Sequence, residues 1–167
     1  MKFPKILRRF NAAVALFAGV IILIIGILTT MEGIARGLFN APTTWSLNVA
    51  QYLLIWAIFL GSAYAFQEKT HVAVDFIREG VGNRWGRGAQ RILSLCGYTL
   101  ALVYVAIIAW NSIDMLEFAI KYDKLTLGIV QIPIVWLYLA MLIGSLTMIV
   151  TIFFIILDLI GKSETYI

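Results

Sequence analysis

The sequence predicts an all-α integral membrane protein, with four transmembrane helices and a short interfacial amphipathic helix between the second and the third. Three observations predict it. The 167-residue chain is 62% hydrophobic and only 13% charged, whereas soluble domains carry roughly 25% charged residues. Its uncharged residues gather into four runs, 10–31, 45–66, 92–113 and 132–157, none of which holds Asp, Glu, Lys, Arg or His. A run of about 18 such residues is long enough to cross a bilayer, and a crossing segment satisfies its own backbone hydrogen bonds as a helix. Barrel strands alternate in polarity over about ten residues, and these runs are apolar throughout. Finally, of the 13 Lys and Arg residues, ten fall on one side of this four-span path and three on the other. That is the positive-inside bias. It predicts cytoplasmic termini and a cytoplasmic 67–91 segment, and it makes the net charge of +4 a topology signal and not a nucleic-acid footprint.

Taken in order, the expected spans are about 10–38, 45–67, 89–117 and 132–158, within a single membrane domain over 1–167. The opening MKFPKILRRF resembles a signal-peptide start. The apolar run behind it exceeds the usual 7–15 residues, however, and no A-x-A site follows, so an uncleaved first span is expected. That span runs on through MEGIARGLF and projects or tilts. Glu32 and Arg36 stand at i,i+4 in the favourable order for pairing, on what reads as a solvated helix end. Pro42 forbids helix continuation, and Thr44 or Ser46 can cap the second span. Within that span Ala57, Gly61 and Ala65 form a small-residue stripe that lets another helix approach closely. Gly97, Ala101 and Ala109 repeat the pattern in span three, as do Ala140 and Gly144 in span four. Trp45, Tyr104, Trp110, Trp136 and Tyr138 suit an aromatic belt. The interfacial segment is expected over about 71–85. There Val72, Ala73, Phe76, Ile77 and Val81 share one face and His71, Asp75, Arg78 and Glu79 the other, the pattern of a helix lying among headgroups.

Several chemistries are poorly served. His71 is the only histidine and Cys96 the only cysteine, so bis-histidine haem ligation and an intramolecular disulfide are excluded and a zinc site lacks ligands. Cys96 reads as a small packing residue. No glycine-rich phosphate loop or nucleophilic arrangement occurs. The spans lack the ionisable groups that mark ion and substrate pathways. No enzyme activity, no cofactor and no bound metal are expected. The residues favour a hydrophobic unit that supports something else: a transporter subunit, or the anchor or assembly subunit of another inner-membrane complex such as a respiratory enzyme.

The segment WSLNVAQYLLIWAIFLGSAYAFQEKTHVAVDF, from residue 45 to residue 76, resembles the signature of the small membrane subunit of tripartite ATP-independent periplasmic (TRAP) transporters, the DctQ-like family. The matching residues are Trp45, Tyr52, Leu53, Trp56, Phe59, Leu60, Gly61, His71, Val72, Val74 and Asp75. Leu47, Asn48 and Gln51 depart from it, standing where the family commonly has acidic residues and an arginine; this divergence suggests a sialic-acid-type branch. The resemblance implies a bacterial inner-membrane subunit that scaffolds a large TRAP membrane subunit. That subunit would import an organic acid, sialic acid in the branch suggested, together with sodium ions, after delivery by a periplasmic substrate-binding protein. Trp45, Tyr52, Trp56, Ala57, Gly61, Ala65, His71 and Asp75 become the candidate interface or structural residues, with membrane lipids as further partners and nucleic acid not among them.

Overall fold

A helix continues until its sequence stops it, and the computed structural model shows where that happens. It describes residues 5–68, 72–126 and 131–161, giving for 44 and 72–91 the backbone alone. The chain forms α1 (Lys5–Leu38), α2 (Thr44–Gln67), α3 (Val72–Lys121) and α4 (Val135–Gly161). Each contains a stretch long and apolar enough to cross a membrane. With 34 residues, α1 is about 51 Å long at 1.5 Å per residue, well beyond the roughly 30 Å of hydrocarbon in a bilayer. It ends where Asn40 takes a left-handed backbone, φ 50°, a conformation that Asn adopts more readily than most residues. The Ala41 N–H then bonds back to the Ala35 carbonyl at 3.1 Å, and Pro42 follows.

The separate interfacial helix expected over 71–85 is not an element of its own. Residues 72–121 form one helix of 50 residues, about 75 Å of rise. Gly80, Gly82, Gly86 and Gly88 do not interrupt it. A glycine costs a helix only about 1 kcal/mol relative to alanine; proline is what breaks one, and no proline occurs between Pro42 and Pro133. The helix stops after Lys121, at Asp123, which is also left-handed with φ 45°. A short bridge between Leu125 and Pro133 then leads into α4, held by Thr126 N–H to the Ile132 carbonyl and Ile134 N–H to the Lys124 carbonyl, both 3.0 Å.

The main packing contacts join α1 to α2, α2 to α4 and α4 to α3. The helices thus stand in a row, α1–α2–α4–α3, with α1 and α3 outermost. In the most apolar stretch of each helix, 39% of residues are buried in α4 but only 11% in α1, as that order requires. Ala63, Val105, Met148 and Ile152 form the core where α2, α3 and α4 meet, flanked by Phe66, Tyr98 and Leu102.

Candidate functional site

The functional surface of such a chain is the set of contacts that fixes its helices and the faces that those contacts leave open. The tightest contact is at Gly144 of α4. A Cβ there would lie 2.5 Å from the Phe59 Cβ and 2.7 Å from the Phe59 carbonyl oxygen, so α2 backbone occupies the space a side chain would need. Ala140 and Ser145, one turn before and one residue after, are fully buried. On the other side of α2, Ala57 is buried, and a Cβ on Gly61 would meet Ala18 of α1 at an ordinary 3.7 Å. Part of the α2 stripe therefore packs against α1 within this chain.

Two polar groups of contacts tie the ends. At the turn between α1 and α2, Glu32 is 4% exposed. Its Oε1 accepts from the Arg36 guanidinium at 2.9 Å. Its Oε2 accepts from the Thr43 N–H at 3.0 Å, from the Thr43 hydroxyl and from the Ser46 hydroxyl at 2.8 Å. The first N–H groups of a helix need acceptors. Thr43, the N-cap of α2, makes no side-chain cap bond of its own and the first turn holds no acidic residue. Glu32 supplies the missing negative group from the neighbouring helix, where the α2 dipole favours it. The expected Glu32–Arg36 pair forms, but its carboxylate is buried and not solvated. Only the Arg36 side chain, 58% exposed, faces outward.

At the opposite end Asn11, 1% exposed, donates from Nδ2 to Gln67 Oε1 at 3.1 Å and to Thr151 Oγ1 at 3.0 Å. Thr151 in turn donates to the Thr147 carbonyl at 2.8 Å. One amide thus joins α1, α2 and α4 inside apolar surroundings, where interhelical hydrogen bonds average about 0.6 kcal/mol each. The Asn11 Oδ1 is buried without a partner among the described residues.

The sequence-derived candidates are only partly brought together. Trp45 is exposed on the first turn of α2, Tyr52, Trp56 and Ala65 are half-buried, and Ala57 and Gly61 lie on the inner side as described. His71 lies outside the described residues; Asp75 stands in the first turn of α3, and their pairing is likewise outside what is described. Cys96 is exposed, so it does not pack within this chain as expected. Glu32, Asn11 and Thr151 carry the interhelical hydrogen bonds, and sequence reasoning gave them no such role. Among the described residues no three His, Cys, Asp or Glu side chains converge as metal ligands would.

Comparison with known proteins gives this arrangement a context. The family model described as tripartite ATP-independent periplasmic transporters, DctQ component, matches residues 25–162. The chain is 27% identical over 93 residues to the isethionate TRAP transporter permease protein DctMQ of Oleidesulfovibrio alaskensis, a match covering 56% of this chain and 14% of that protein. It is 31% identical over 67 residues to a protein of Haemophilus influenzae named as a TRAP transporter small permease protein, covering 40% of this chain and 42% of the other. The matches thus span less than half the length of either relative.

Proposed function

We propose, from the premise that this chain belongs to the DctQ component family of tripartite ATP-independent periplasmic transporters, that it scaffolds a large membrane subunit through which an organic acid enters the cell. A small permease subunit of a transporter is not an enzyme, and its four spanning helices make it a multi-pass membrane protein. The observation that carries the proposal is the open row of helices: α1, and α3 over its described residues 92–121, are mostly exposed, and no ionised side chain lies within the four charge-free runs. Such a unit offers wide apolar faces to other helices and no ion or carboxylate pathway of its own.

The relative whose name joins both subunits, DctMQ, is far longer than the region matched, which supports a large membrane partner here. Sodium coupling and delivery by a periplasmic binding protein follow from the resemblance at Trp45–Asp75, and sialic acid as the cargo from the departures at Leu47, Asn48 and Gln51. Location in the bacterial inner membrane follows from the same resemblance, and cytoplasmic termini follow from the basic-residue bias. Trp45, Tyr52, Trp56 and Ala65 contact the partner in this account, Ala57 and Gly61 set the α1–α2 spacing, and His71 and Asp75 fasten the start of α3. The test is affinity purification of this chain co-expressed with the large subunit of its own transporter. A stoichiometric one-to-one complex is expected, weakened modestly by His71→Ala with no change in its dependence on pH. Recovery of the large subunit without this chain bound, under conditions where both are expressed and inserted, would contradict the proposal.

A further inference from the structure

Asn11, Ala18, Ile21 and Glu32, the buried residues of α1, share one side of the helix at about 100° per residue. Lys5 and Arg9 fall on the opposite side and Arg8 on the flank beside them, and all three are exposed. None makes an ion pair with another described residue. The same outward strip continues through Ala12, Leu16 and Gly19, each exposed; Leu16 is 74% exposed, and a Cβ on Gly19 would meet nothing within 4 Å. The three cations therefore point away from the other helices, at the head of a smooth apolar strip that turns toward lipid.

We propose that this strip binds an anionic phospholipid, with the headgroup phosphate held by Lys5, Arg8 and Arg9 and an acyl chain lying along Ala12, Leu16 and Gly19. Guanidinium groups match phosphate oxygens in pairs, and their alkyl stems reach from the apolar layer to the headgroup region. Each basic residue at an anionic membrane surface adds to the attraction. The lengths agree as well. From Arg9 to Gly19 the helix rises about 15 Å, half of a hydrocarbon core of roughly 30 Å, so the strip is one leaflet deep. The inference requires that α1 cross the bilayer and is independent of the transporter reading.

The test is native mass spectrometry of the full chain after equilibration with equal amounts of phosphatidylglycerol and phosphatidylcholine bearing the same acyl chains, with inorganic phosphate as a third ligand. Wild-type protein is expected to retain phosphatidylglycerol over phosphatidylcholine by roughly tenfold or more, less so as salt rises, and to retain no free phosphate. The preference is expected to vanish in Lys5→Gln/Arg8→Gln/Arg9→Gln and to survive in Lys121→Gln/Lys124→Gln, which removes cations at the far end of α3. Equal retention of the two lipids by wild type, or a preference indifferent to salt, overturns the proposal whether or not the triple variant folds. A preference that persists in the folded triple variant overturns it too, and binding of free phosphate as strong as that of the lipid would make this a soluble-anion site instead.

Discussion

At the scale of single residues, two glycines with the same sequence signature have opposite tolerance. Gly61 and Gly144 each sit in a small-residue stripe, and the stripes alone do not rank them. The structure does: a methyl on Gly144 collides with the Phe59 Cβ and backbone of α2 at 2.5–2.8 Å, whereas one on Gly61 makes ordinary contact with Ala18 at 3.7 Å. Gly144→Ala is expected to destabilise the chain by about 1–3 kcal/mol, the usual range for overpacking. Gly61→Ala is expected to be neutral to stabilising, by up to about 1 kcal/mol, the helix cost of a glycine. Reversible unfolding in mixed micelles measures both, and equal effects would contradict the α2–α4 packing described. Glu32 is the other decisive residue. Glu32→Ala leaves the Thr43 N–H without its acceptor and Arg36 without its ion pair, while Glu32→Gln keeps one acceptor oxygen and loses the charge and the other acceptor. Thermal stability is expected to fall in the order wild type, Glu32→Gln, Glu32→Ala. A Glu32→Ala protein as stable as wild type would show that the carboxylate does not cap α2.

At the scale of elements, the spans were legible because a charge-free run of the required length has few alternatives to a membrane helix. Less visible was how far each helix continues beyond its apolar run. α1 begins at Lys5, among the basic residues that precede the run, and α3 extends back to Val72 through a glycine-containing polar stretch. Hydropathy marks where lipid begins and ends, while the backbone stops at proline or a left-handed residue, and the two signals need not coincide. Glu32 read as a solvated end for a related reason. Its burial depends on α2 folding back beside it, and the only local hint is an α2 start with no acidic residue of its own. Orientation can be tested element by element. With Cys96 replaced by alanine, single cysteines at Ala41, in the α1–α2 turn, and at Asn83, in the first half of α3, are exposed on intact cells to a membrane-impermeant thiol reagent. Labelling is expected at Ala41 alone, as the ten-to-three division of Lys and Arg predicts. Labelling at Asn83 alone would invert the topology.

For the whole molecule, the row α1–α2–α4–α3 explains how a chain of 167 residues could serve as a scaffold. A closed bundle would bury most of its small-residue faces inward, but a row keeps one side of each outer helix available while α2 and α4 pack on two sides. The candidate site was less legible than the fold. The Trp45–Asp75 signature identified the family, yet the structure turns some of its residues inward and others outward, a division that a motif on one helix cannot contain because it depends on which helices stand on either side. The central claim is that this chain is required for transport without itself carrying the substrate. The most direct measurement is sodium-driven uptake of the organic acid into proteoliposomes containing the large subunit and the binding protein, with this chain present, absent, or alone. Uptake is expected only when this chain and the large subunit are both present. Full uptake without this chain would contradict the scaffold role, and uptake by this chain alone would contradict the absence of a transport pathway within it.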